Sequence, residues 1–260
     1  MSKVLVIIPM HGKEEYTNKC VELCYQYAGM DIDILVVDDG SPKEFHSSAV
    51  NVIRIDKNQG YTNAVNEGII WSGYVYDYVC LLNNDSEPDQ YFIKTMVEVA
   101  ESDPSIGIVS PARIENRSGI MTAELDQIDI LRGFHNTLLA KDLKDEVIDC
   151  KAVAGACYLI PTRVIREVGL LDKTMPMFCT DTDYGFRVLL AGYRIVVATK
   201  ARIFHHRSVT VKSMNLDADK DMQMFLKKYS GYNMAKIFSE MPLDSAQGTY
   251  GQMKFEIVNK

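Results

Sequence analysis

Residues 32–41 read Ile-Asp-Ile-Leu-Val-Val-Asp-Asp-Gly-Ser, and these ten positions decide the fold class. Ile32–Val37 has the make-up of a buried strand, and Asp38-Asp39-Gly40-Ser41 stops it with turn-forming residues. Working outward, Val4–Ile8 is another continuous apolar run, closed by Pro9. Between the two, Lys13–Tyr27 places Tyr16, Cys20, Leu23, Cys24 and Tyr27 at helical spacing. Downstream come a short strand Val50–Ile55, a helix from Tyr61 to Trp71, and a strand Tyr76–Leu82 ending in Asn83-Asn84-Asp85. Pro88 is expected to open a helix through Glu101, with Ile106–Val109 as the next strand. Strands that alternate with helices require crossover connections and a mostly parallel sheet, so the fold class is α/β.

The second half is less regular. Residues 115–149 lack strong periodicity and read as short strands or a mobile excursion. Lys151–Ile160, Tyr193–Ala198 and Arg202–His206 read as strands, and Thr162–Val168, Asp181–Ala191 and Asp217–Ser239 as helices. No linker-like stretch divides the chain, so one main domain is expected over residues 1–212. Its first half would span 1–110 and its second half 111–212, with a helical extension and polar tail over 213–260.

Hydrophobic residues make up 47% of the 260, enough for a large core, which excludes a disordered chain and a disulfide-stapled mini-fold. The 28 basic and 35 acidic residues leave a net charge of −7, which weighs against a grip on nucleic acid. No apolar run is long enough for a spanning helix. The N-terminus reads as a first strand and not as a signal peptide, and peripheral membrane contact through 217–239 is left open. Six cysteines without a CxxC pair suit reduced thiols and a cytoplasmic location.

In open α/β sheets ligands bind outside the carboxyl ends of the strands, so the polar clusters there are the candidate site. Asp39 is placed to accept from an N–H such as a nucleobase imide, although on this segment alone Asp-Asp-Gly-Ser reads first as a turn. Asn83-x-Asp85 offers hard oxygen ligands suited to Mg²⁺ or Mn²⁺, or a turn before a helix. Asn58-Gln59-Gly60 leads into a helix carrying Asn63 and Asn66, amides suited to a base, a ribose or a phosphate. Asp181 and Asp183 lie at a helix start, where an ionised carboxylate is either a general base or a cap. His205-His206 ends a strand as candidate metal ligands or as packing residues, and Lys212 follows as a weaker candidate for a diphosphate. Neither a dinucleotide fingerprint nor a P-loop is present.

The order of these segments carries more than any one of them. Val6-Ile7-Ile8-Pro9, Val36-Val37-Asp38-Asp39-Gly40-Ser41, Asn58-Gln59-Gly60, Asn66-Glu67-Gly68-Ile69 and Leu81-Leu82-Asn83-Asn84-Asp85 come first. Gly155–Ile160, Val168–Asp172, Asp181-Thr182-Asp183, Ala191–Ile195 and His205-His206 follow. The set resembles glycosyltransferase family 2, inverting enzymes with a GT-A fold, and its asparagine-rich third motif is closest to the rhamnosyltransferase-like branch. The resemblance runs from Val4 to His206. It implies a Rossmann-like nucleotide-binding half with a mostly parallel central sheet flanked by helices, an acceptor-side half and a C-terminal helical elaboration.

It also implies a UDP- or dTDP-sugar donor, a glycan or other hydroxyl-bearing acceptor and Mn²⁺ or Mg²⁺. Pro9, Asp39, Asn58, Asn66, Asn83, Asn84 and Asp85 would bind the nucleotide sugar, Asp85 and His205 the metal, and Asp181 would be the catalytic base. Two positions depart from the family pattern: Asn83 replaces the first acid of the D-x-D, and Thr180 stands where many relatives carry Glu. These departures motivate one alternative, a catalytically silent nucleotide-sugar-binding module. A sugar nucleotidyltransferase is a weaker one, because no basic Gly-rich phosphate loop follows the first strand.

Overall fold

The computed structural model describes residues 2–115, 121–129, 134–139, 146–150, 155–206 and 218–232. Strands β1 (Val4–Met10), β2 (Asp33–Asp39), β3 (Asn51–Ile55) and β4 (Tyr78–Leu82) pair in parallel in the order β3-β2-β1-β4. Helices α1 (Glu14–Tyr27) and α2 (Tyr61–Trp71) cross between them. Strand β1 runs through Pro9 instead of stopping there. Its pairing with β4 ends at Ile7↔Leu81 while that with β2 continues to Met10↔Asp38, so Pro9 sits where one side of the ladder has already ended.

Beyond β4 the sheet continues through β10 (Cys157–Pro161), β6 (Ile106–Glu115) and β11 (Arg194–His205) to β5 (Ser86–Pro88). Strand β10 is antiparallel to both β4 and β6, and β11 is parallel to β6, so β6 and β11 point the same way as β1–β4. Pro88 therefore ends a three-residue edge strand antiparallel to β11, a tolerated place for proline, and helix α3 begins later, at Phe92–Ser102. The two strands expected over 193–206 are one, Arg194–His205, with a register shift between Ala198 and Arg202. Strands β7 (Met121–Asp129), β8 (Phe134–Leu139) and β9 (Val147–Cys150) occupy the irregular region.

Alternation along β1 sorts the helices. Val4, Val6 and Ile8 face Cys20, Cys24 and the α3 residues Phe92, Ile93 and Met96. Leu5 and Ile7 face the α2 residues Ala64, Val65 and Ile69. The same side carries α4 (Thr162–Val168) and α5 (Thr180–Leu190), through Val164, Ile165, Tyr184 and Val188. A third cluster of Met175, Phe186, Phe225 and Tyr229 packs helix α6 (Ala218–Lys228) against α5 and the segment before it. All six cysteines are free thiols. Among the described residues no helix is long and apolar enough to cross a membrane.

Candidate active site

The loops after β1, β2 and β4 emerge at one edge because these strands are parallel neighbours. The two aspartates ending β2 play different parts. Asp38 is fully buried and accepts from the Ser41 and Phe45 amides at 2.9 and 3.1 Å. It also pairs with Arg54, its register partner on β3. Burial pushes its carboxyl up, but these donors outweigh it and hold it below the usual carboxylate range. Asp38 is thus a structural anchor.

Asp39 is 4% exposed, and its two carboxylate oxygens accept from the Gln59 and Gly60 amides, each at 2.8 Å. Burial leaves its carboxyl above the usual range, offset in part by those amides and by His11. His11 Nδ1 donates to the Asp39 carbonyl at 2.7 Å, and the Gly12 amide to Ser41 Oγ at 2.7 Å, which ties the β1 and β2 loops together. Pro9 is buried behind them, and Asn58 is exposed, its Oδ1 accepting from the Gly60 amide at 3.0 Å.

Asn66 does not reach this cleft. It is fully buried, with its amide donating to the Leu171 carbonyl and accepting from the Leu171 amide, both at 2.9 Å. Asn66 thereby ties α2 to the 171 loop. The helical period placed Asn66 beside Asn63 but could not say which face was buried. Asn63 instead donates to the Gln59 carbonyl at 2.8 Å.

Beyond β4, the Asn83 amide donates to the Ala156 carbonyl at 2.9 Å, while the Asn84 side chain turns to Thr17 of α1 at 3.0 Å. Asp85 is 8% exposed, with Oδ1 3.0 Å from His205 Nε2. The β5–β11 pairing, which sets His205 opposite Ser86, brings these two together across 120 residues. His205 Nδ1 is buried without a hydrogen-bond partner among the described residues. Beside the pair, Tyr16, Lys19, Asn84, Asp85, Glu87 and His206 line a cavity of about 210 Å³. His206 bonds Glu87 at 2.7 Å, an arrangement without any local signal in the chain.

Asp181 lies in the first turn of α5, partly exposed. Its Oδ2 accepts from the Gly155 amide at 2.7 Å and its Oδ1 from the Thr182 amide at 2.8 Å. Tyr61 of α2 donates to the Gly155 carbonyl at 3.2 Å, from the other side of that residue. Thr180, which precedes Asp181, is buried and offers a hydroxyl where a second carboxylate would need an acidic residue. Asp183 points inward, fully buried between Arg187 Nε at 2.9 Å and the Tyr229 hydroxyl at 2.7 Å. Only its i,i+4 spacing to Arg187 is legible in the sequence. Lys212 lies outside the described residues. Among those residues no cluster of three or more His, Cys, Asp or Glu forms a closed metal site.

A family model described as glycosyl transferase family 2 matches residues 5–155, more than half of the chain. The chain belongs to glycosyltransferase family 2. Among the relatives of this glycosyltransferase is the N-acetylglucosaminyl-diphospho-decaprenol L-rhamnosyltransferase of Mycobacterium tuberculosis, 22% identical over 206 residues, 68% of this chain and 67% of the relative. The poly-β-1,6-N-acetyl-D-glucosamine synthase of Staphylococcus aureus (strain COL) is 26% identical over 172 residues, 63% of this chain and 40% of the synthase.

A crystal structure of GalNAc-T7 with UDP, GalNAc and Mn²⁺ superposes with a TM-score of 0.68 at 15% identity, covering 88% of this chain and 48% of that one. The glycosyltransferase thus has the GT-A fold, and it spans less than half the length of the synthase and of GalNAc-T7.

Proposed function

We propose that this enzyme transfers a glycosyl group from a UDP- or dTDP-sugar to an acceptor hydroxyl in one inverting displacement, with Asp181 as general base. The observation that carries the reading is the setting of Asp181. Its carboxylate is partly exposed, and the main-chain N–H groups of Gly155 and Thr182 hold its two oxygens in a fixed orientation. In this reading Asp181 takes the acceptor proton as that oxygen attacks C1, and the bond from C1 to the diphosphate oxygen breaks on the opposite face. Asp39 fixes the Gln59-Gly60 loop that borders the base, and its remaining lone pairs are the acceptors for an imide N–H.

The chemistry of Asp85 and His205 fits a divalent metal: a carboxylate and an imidazole nitrogen facing each other, with substrate oxygens left to complete the shell. A metal held there would neutralise charge on the leaving diphosphate. The presence of UDP and Mn²⁺ in the GalNAc-T7 crystal supports this choice of donor class and ion.

The test is thermal unfolding with UDP, dTDP, GDP and CDP, each with Mn²⁺ or EDTA. A nucleotide at 100 times its Kd adds about 2.7 kcal/mol of stability. The expected result is a Mn²⁺-dependent rise with UDP or dTDP that is lost in Asp85→Ala. No rise with any nucleotide would overturn the proposal.

A further inference from the structure

We infer that helix α6 positions the base, acting through Asp221 at one end and Lys228 at the other; this rests on the reading of Asp181 as that base. The segment leading into α5 has four main-chain groups that no helix or strand satisfies, and two elements divide them. From α2, Thr62 takes the carbonyls: its hydroxyl donates to Met175 at 2.6 Å and its amide to Pro176 at 3.0 Å. From α6, Asp221 takes the amides, since one oxygen, Oδ2, accepts from both Met177 at 3.0 Å and Phe178 at 2.7 Å. Cys179 follows with φ of 58°, and Asp181 comes two residues later.

Asp221 is 3% exposed, a setting in which a polar side chain needs hydrogen-bond partners of this kind. Removing it would leave two amides without an acceptor in the segment that aims Asp181. The far end of α6 holds the same segment from the other side. Lys228 Nζ lies 2.6 Å from both Asp172 and Asp183, and Phe225 packs with Met175 and Phe186. The ammonium of Lys228 and the donors of Thr174 outweigh burial at Asp172 and bring its carboxyl down to about 2. Residues 172–183 are thus tied to α6 at both ends through Lys228 and in the middle through Asp221.

Asp221→Ala, Asp221→Asn, Lys228→Met and Asp181→Asn test this in the full chain. Nucleotide release is followed from UDP-N-acetylglucosamine and dTDP-rhamnose, with hydrogen exchange over 174–184 and the UDP–Mn²⁺ thermal shift alongside. Displacing a reacting group by about 1 Å can cost about 100-fold, so Asp221→Ala is expected to lower kcat about 10- to 100-fold. The donor KM and the UDP shift should be kept, and exchange over 174–184 should quicken. Asp221→Asn keeps an oxygen acceptor and should recover kcat to within about threefold, which a need for charge alone would not allow.

Wild-type kcat in Asp221→Ala, or equal loss of kcat and UDP binding, would overturn the inference. If Asp221→Ala does not fold, Lys228→Met decides. Its expected kcat loss is about tenfold with KM kept, and full kcat would overturn the positioning role. Wild-type kcat in Asp181→Asn would remove the base reading and this inference together. An inactive Asp181→Asn beside a fully active Asp221→Ala would remove only the inference.

Discussion

Asp181 owes its orientation to a residue with no side chain. A Cβ built on Gly155 would lie 3.1 Å from Asp181 Oδ2, so any side chain there would press the carboxylate out of place by a few tenths of an ångström. Gly155→Ala is expected to push the carboxylate aside and lower kcat about tenfold while leaving the UDP–Mn²⁺ thermal shift unchanged. Asp181→Asn removes the proton acceptor and keeps the shape. It should lower transfer by about 10²- to 10⁴-fold with nucleotide affinity retained, as read by steady-state kinetics beside the same thermal shift. Gly60 meets a comparable constraint. Its φ of 89° and the Pro176 carbonyl 2.6 Å from a notional Cβ leave no room for a side chain where α2 meets the Asp181 segment.

Among the elements, the β2–β3 pairing carries the most consequential charge. Asp38 is fully buried opposite Arg54, so Arg54→Met leaves a carboxylate in the interior without its cation. The expected loss is about 3 kcal/mol at pH 7 by denaturant unfolding. The folded-state carboxyl of Asp38 is held below its ordinary value, so its contribution is present above that ordinary value and is lost as pH falls through the lower folded value. The difference between wild type and Arg54→Met should therefore be fully developed near neutral pH and shrink below about pH 4. Strand β11 is the other decisive element, because its far end carries His205 to Asp85 through the short edge pairing with β5.

Across the whole molecule, the parallel β3-β2-β1-β4 run and the peripheral α6 differ in how they are held. Strand β1 is buried throughout and paired on both sides, whereas α6 is anchored by Phe225, Tyr229 and a few polar ties. Native-state hydrogen exchange should accordingly show β1 and β2 amides opening only by global unfolding, and α6 opening at lower free energy. Exchange of α6 as slow as that of β1 would mean that the two open as one unit.

The apolar runs at Val4–Ile8, Ile32–Val37 and Tyr76–Leu82, with amphipathic segments between them, dictated an α/β sheet by local chemistry. A strand buried on both faces announces itself in consecutive residues. The same parallel order placed the polar clusters at Asp38-Asp39 and Asn83–Asp85 at one edge, and their ordered set pointed to the family. Tertiary structure alone decided what each polar group faces. Asn66 turned inward to Leu171, Asp38 found Arg54 through strand register, and Asp183 was drawn to Tyr229 from 46 residues away. Asp221, which nothing in its local sequence marks, became the acceptor for two amides 43 and 44 residues earlier. Periodicity is a property of neighbours in the chain and is legible there. Burial and hydrogen-bond partnership are set by packing between distant segments, and they exist only once the chain has folded.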